Sequence, residues 1–161
     1  MADEELIRGG RELGQFLQGL PVKVEKNILR AALRAGVNEF KAEIKQNVPV
    51  DSGALRSSVR VSVKSKRGTV IAEVKVGGKK APHAHLVEFG TKPHKIKAKK
   101  NHALAFGGLA VQAVDHPGAK PHPFVRPAFD SKAQAAIAAT GSKIRDRLTK
   151  EGINVPAQES D

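Results

Sequence analysis

From His116 to Asp130 the chain reads His-Pro-Gly-Ala-Lys-Pro-His-Pro-Phe-Val-Arg-Pro-Ala-Phe-Asp, with four prolines and one glycine in fifteen residues. Each proline fixes φ near −65° and removes a backbone donor, so neither a regular helix nor a central strand can pass through this run. Its last apolar residues, Phe124, Ala128 and Phe129, nevertheless fall at helical spacing and lead into an Ala-rich pattern that reaches about Lys150. A stiff, extended lead-in is therefore joined directly to the start of a long helix. Such a device aims an element in space and is poor material for a substrate pocket.

The length of 161 residues suits a single domain over residues 21–150, with a short N-terminal extension (1–20) and a loose tail (151–161). Six Phe are present, with no Tyr, Trp or Cys, so disulfides and thiolate metal sites are excluded. No run of eighteen apolar residues occurs, and the chain opens on Asp3-Glu4-Glu5. Neither a membrane span nor a secretory signal is expected. The net charge of +12 is concentrated: from Arg56 to Lys100 there are thirteen Lys or Arg against only Glu73 and Glu88. A field of that size implies a polyanionic neighbour, either nucleic acid or an acidic protein surface.

Along the chain, Leu6, Ile7, Leu13, Phe16, Leu17 and Leu20 make a stripe that four glycines weaken, which predicts a short amphipathic helix. Val24, Ile28, Ala31, Ala35, Phe40 and Ile44 predict a longer helix over 22–47, ended by Pro49. Alternating Val59, Val61 and Val63, then Val70, Ala72, Val74 and Val76, predict a β-hairpin with one basic face. Residues 83–90 read as a helical turn closed by Gly90, and 92–102 as a basic loop or exposed hairpin arm. Two short strands and the C-terminal helix, with Ile137, Ile144 and Leu148 as core positions, complete the order. The expected class is α+β: an antiparallel sheet of about four strands packed against a long helix in the N-terminal half and a C-terminal helix.

The chemistry-bearing residues form no reactive set. His83, His85, His94, His102, His116 and His122, with Glu88 and Asp115 as carboxylates, match no metal-ligand spacing. They read more simply as loop histidines that gain charge below neutral pH. Ser57, Ser58 and Thr91 lack a base, and Gly77-Gly78-Lys79-Lys80 lacks the full spacing of a phosphate loop. Glu88 sits alone beside Phe89 and Gly90 in an apolar segment. A lone general acid or base is one reading; a half-buried carboxylate paired with a cation such as Arg126 or Arg56 is the simpler one. The run Lys95-Ile96-Lys97-Ala98-Lys99-Lys100 can meet a phosphate backbone without reading sequence, since no stacking platform accompanies it. No catalytic residue, cofactor or metal is expected.

Three blocks then combine: Pro49-Val50-Asp51-Ser52-Gly53-Ala54-Leu55; Val87-Glu88-Phe89-Gly90-Thr91; and His116-Pro117-Gly118 with Pro123-Phe124-Val125-Arg126-Pro127-Ala128. In this order and spacing they resemble the HK97-like tail-completion, or head–tail joining, family of tailed bacteriophages, over about residues 22–150. Residues 1–20 and the basic 92–102 arm depart from that pattern. The resemblance implies a structural, non-enzymatic virion protein of the neck, made in the host cytoplasm. It also implies a ring of copies, hexameric if matched to a tail tube, with tail-terminator, tail-tube and head-connector proteins as partners. Lys92, Lys95, Lys97, Lys99 and Lys100 are the residues expected to meet genomic DNA or a partner. Tail termination, head closure and free non-specific DNA binding during packaging are the rival roles. A small hydrolase using Glu88, histidines and a metal is the outsider. On this reading Gly53 and Gly90 take positive φ, Pro49 and Pro117 stiffen turns, and Phe89, Phe124 and Phe129 plug the sheet–helix junction. Glu88 and Arg126 form a structural ion pair.

Overall fold

Helical periodicity with Pro49 two residues beyond its end becomes one long helix, Val22–Asn47 (α2). The structure, a computed structural model, describes residues 10–20, 22–66, 68–98, 103–106 and 108–150. The expectations for 1–9, for the tail from residue 151, and for Lys99, Lys100 and His102 lie outside those residues. A shorter helix, Gly10–Gln18 (α1), precedes α2. Then come the single helical turn Ala54–Ser58 (α3), the strands Arg60–Lys66 (β1) and Thr69–Lys75 (β2), and the short helix Ala84–Phe89 (α4). Strands His94–Lys97 (β3), Leu104–Phe106 (β4), Leu109–Val111 (β5) and Ala113–His116 (β6) follow, and Arg126–Lys150 (α5) closes the order.

The class is α+β, as the sequence predicts, but the strands are divided. Among the described residues they form three two-stranded sheets, β1–β2, β3–β6 and β4–β5, in place of one sheet of about four strands. Strand length explains the division. Four strands are only three or four residues long, and the paired glycines Gly77 and Gly78, both at positive φ, break the chain after β2. β3 and β6 pair antiparallel from His94↔His116 to Lys97↔Ala113, and the ladder extends by Ala98 N–H to Gln112 O at 2.9 Å. β4 and β5 pair antiparallel from Leu104↔Val111 to Phe106↔Leu109. The described residues between His94 and His116 thus make a narrow ribbon.

The chain forms two compact units. The first gathers the described residues up to Ala42, Val61–Val74, and those from Lys132 onward. Its core is a cluster of Leu17 from α1, Ile28 and Ala32 from α2, and Ile144 and Leu148 from α5. α2 buries residues four apart, at Ile28, Ala32 and Gly36, and α5 follows a similar row through Ala136, half-buried Thr140, Ile144 and Leu148. Rows of this kind interdigitate when two helices cross. Gly36 sits at the closest approach: a Cβ there would lie 2.3 Å from Thr140 Oγ1 and 2.9 Å from the Ala136 carbonyl. Two expected core positions move: Ala31 is one residue off the row that Ala32 occupies, and Ile137 is exposed. Leu17 brings part of the expected N-terminal extension into the core.

The second unit holds Glu43–Arg60 and Lys75–Ser131. Ile44, Val48, Leu55, Val59, Ala81, Phe124 and Ala128 are its buried apolar residues. Buried Ser58 ties α3 to the loop after β2, donating to Leu55 O at 2.6 Å and accepting from Gly77 N–H at 2.9 Å. Arg60 adds a bond from Nη1 to Gly77 O at 2.9 Å.

Candidate functional site

All three sequence blocks lie in the second unit, and they meet there. Pro49 stands two residues after α2 ends, and Gly53 (φ 74°) caps α3, whose Leu55 is buried. Pro49, Gly53 and Leu55 line an open groove with His83 and Val87, so the first block reaches the second.

The second and third blocks are joined by the main chain. Thr91 and Ala119 form an antiparallel bridge, Thr91 N–H to Ala119 O at 2.9 Å and Ala119 N–H to Thr91 O at 3.1 Å. The Thr91 hydroxyl also accepts from Ala119 N–H at 2.9 Å, and His122 N–H donates to Val87 O at 2.8 Å. Glycine is required on both sides of this seam. Gly90 (φ 70°) and Gly118 (φ 88°) hold left-handed backbone, where a side chain is strained. A Cβ on Gly90 would lie 2.6 Å from Ala119 O, and one on Gly118 only 2.3 Å from Thr91 O.

Glu88 supplies the other link. It is 8% exposed, and its Oε2 accepts from Phe124 N–H at 2.8 Å and Val125 N–H at 3.0 Å. Its Oε1 accepts from Arg126 N–H at 3.1 Å. Phe129 N–H bonds Val125 O at 3.1 Å, which makes Val125 the capping residue of α5. The first turn of a helix has amide donors with no partner inside the helix. Here Glu88 takes those of Val125 and Arg126, and Pro127 has none to satisfy. A carboxylate at the positive end of the helix dipole adds a further favourable term.

The expected Glu88–Arg126 ion pair takes another form. The two residues meet, but through the Arg126 backbone amide, and among the described residues no side-chain ion pair involves Glu88. Burial pushes the Glu88 carboxyl up, yet the N–H groups of Phe124, Val125 and Arg126 together hold it below the ordinary glutamate value. That carboxylate is ionised and fully engaged, which suits a cap and not a proton donor.

The aromatic plug is one residue. Phe124 is 1% exposed, whereas Phe89 is 78% exposed and Phe129 is 42% exposed. Phe124 and Ala128 share a face four residues apart; Phe129, one residue on, turns off it. Phe89 and Leu86 stand exposed three residues apart on α4, and Phe89 lines an open groove with Pro121, Pro123 and Arg126. Pro117 is exposed at the turn after β6. Lys92, Lys95 and Lys97 lie at or near β3, where Lys95 and Lys97 are exposed and Lys95 pairs with Asp115 at 3.4 Å. Among the described residues no three His, Cys, Asp or Glu gather to hold a metal ion, and no helix is long and apolar enough to cross a membrane. Sequence reading missed the ribbon pair His94–His116, whose rings lie 5.1 Å apart, because the two are twenty-two residues apart in the chain.

No curated protein and no solved structure matches the chain. A family model does, over residues 11–90, about half of its length; its description is "Bacteriophage HK97-gp10, putative tail-component". The matched residues bring α1 inside the family, although the sequence pattern leaves 1–20 outside it. They end at Gly90, so the His116–Asp130 block lies beyond them and is tied to them by the Glu88 bonds and by His122 N–H to Val87 O. Through residues 11–90 the chain belongs to the HK97-gp10-like family of bacteriophage tail components.

Proposed function

We propose that this tail-component protein works in the phage neck, as one subunit of a ring that joins the tail to the DNA-filled head. Its role is structural and non-enzymatic, and it acts in the virion after synthesis in the host cytoplasm. The observation that carries the reading is the Glu88 cap: an ionised, buried carboxylate has both oxygens committed to main-chain amides, which fixes α5 and the Pro-rich lead-in against α4. Such a joint holds an outward surface in one geometry for a neighbour to meet. That surface is available, since Phe89 and Leu86 of α4 are exposed. Exposed apolar side chains gathered on one short helix are characteristic of protein contacts. A ring arises when heterologous contacts close by rotation, and six copies would match a tail tube.

Inactivating the gene in its parent phage tests the role. Filled heads and separate tails are the expected products in electron micrographs; intact infectious virions would overturn it. Stalled tails of uncontrolled length would instead assign tail termination, and heads that leak DNA would assign head closure.

One further observation favours a DNA-facing surface within the ring or, as the rival reading, a free packaging-associated DNA binder. The section Arg56–Lys100 is strongly basic, and the β3–β6 ribbon presents Lys95 and Lys97 to solvent. A monomer that binds duplex DNA with a steep salt dependence, and joins neither heads nor tails, would establish the rival.

A further inference from the structure

Two histidines face each other at the root of the ribbon. His94 and His116 are direct cross-strand partners, with ring centroids 5.1 Å apart and planes tilted by 33°. Each ring is also tied to the main chain, and the two ties differ in sense. Nδ1 of His94 lies 2.9 Å from the Lys92 carbonyl, so it carries the proton and donates. Nδ1 of His116 accepts from Gly118 N–H at 3.0 Å, so it must be bare. These bonds fix opposite neutral tautomers: His94 leaves Nε2 free, and His116 carries its proton on Nε2.

The consequences of acid are therefore unequal. His94 takes a proton on Nε2 and keeps its bond to Lys92. His116 can take one only on Nδ1, which sets a donor against the Gly118 donor and ends the bond. The charged groups nearby offer no relief. Strand alternation puts Lys95 and Asp115 on the opposite ribbon face, where they pair with each other at 3.4 Å, while Ile96 and Val114 share the histidine face. Lys92 precedes His94, and Lys120 and His122 follow Gly118, so the other titratable groups of the adjoining loops are cationic or become so.

Gly118 is not a free turn residue. It holds left-handed backbone packed on the Thr91 carbonyl, and the next residue makes the Thr91–Ala119 bridge that joins the ribbon root to the α4 block. We propose that His116 is an acid-sensitive latch: at neutral pH its imidazole holds the Gly118 turn, and protonation releases it and loosens the Thr91–Ala119 seam. This regulation is independent of the neck assignment.

Amide exchange at Thr91 and Ala119, expressed as protection factors, measures the latch in the full-length protein at pH 7.5 and 5.5. Opening takes up a proton, so acid should raise the open population, and protection at both amides should be about tenfold lower at pH 5.5 than at pH 7.5. His116→Asn keeps an acceptor where Nδ1 stands but does not titrate, and its protection should stay constant. His94→Ala should retain the acid loss, because the Gly118 bond remains. Unchanged wild-type protection, or an equal loss in His116→Asn, would overturn the proposal. If His116→Asn fails to fold, the wild-type imidazole ¹⁵N shifts decide. His116 Nδ1 protonating in step with the loss supports the latch, and a loss that does not follow His116 overturns it.

Discussion

At the scale of single residues, Glu88 carries the largest local consequence. Replacing it with Ala leaves the Phe124, Val125 and Arg126 amides without their acceptor in a part-buried place, at a cost of about 3 kcal/mol or more in unfolding experiments. Glu88→Gln keeps one acceptor oxygen and loses the charge, so about 2 kcal/mol is expected at pH 7. The pH dependence follows from the direction of the shift. A carboxyl held below its unfolded value contributes stability that is complete above the ordinary glutamate range and is lost as pH falls through the folded value. The gap between wild type and Glu88→Gln should therefore close in acid, because protonated Glu88 resembles the amide; denaturant midpoints at pH 7 and pH 3 check this. A gap that stays constant would remove the charged cap from the account. Residue type alone marks Glu88 as odd, a single acid in a basic, apolar stretch. Its partners are invisible in sequence, because the bonds it accepts come from backbone amides some thirty-six residues away, and every residue but proline has one.

At the scale of elements, the contrast between two glycines isolates packing from propensity. Both lie within helices, where Ala is favoured over Gly by roughly 1 kcal/mol. Gly14 of α1 has nothing within 4 Å of an added Cβ, so Gly14→Ala should raise stability by about 0.5–1 kcal/mol. Gly36 of α2 faces Thr140 Oγ1 and the Ala136 carbonyl. Thr140 Oγ1 already donates to Ala136 O at 2.7 Å, and a helix carbonyl cannot withdraw. Gly36→Ala should therefore destabilise by about 1–3 kcal/mol despite its better propensity, and thermal melts of the two variants should move in opposite directions. The helices themselves were legible, since α2 has the predicted bounds and α5 begins within two residues of them. The row that meets the neighbouring helix was less so. Glycine is not counted as apolar, so the buried row through Ala32 and Gly36 was read one residue early, at Ala31 and Ala35.

At the scale of the whole molecule, the exposed features separate assembly from DNA contact. Phe89→Ser removes an apolar side chain that is 78% exposed, so folding stability should change by no more than about 0.5 kcal/mol. If α4 meets a neighbouring subunit, light scattering should show the assembled species lost in this variant; unchanged assembly would move the interface elsewhere. Substituting Lys95 and Lys97 by Ala should likewise leave the fold intact. If the ribbon meets DNA, the salt slope of duplex binding should fall by about two, near 0.9 for each phosphate contact removed. No change in slope would leave the ribbon to a protein partner.

The sequence by itself determined the classes of element, the turns that demand glycine or proline, the concentration of positive charge, and the three blocks that mark the family. All of these rest on local backbone sterics or on composition, which need no knowledge of what a residue meets. Only the tertiary structure decided that Glu88 caps α5 through main-chain amides and not through a guanidinium, that Phe124 alone of three phenylalanines is buried, and that His94 lies opposite His116. Those outcomes depend on which distant segments come within about 3 Å, the reach of a hydrogen bond. The proline-punctuated run from His116 to Asp130 spans both kinds of knowledge: its stiffness is written in its residues, and the carboxylate that anchors it is supplied by the fold.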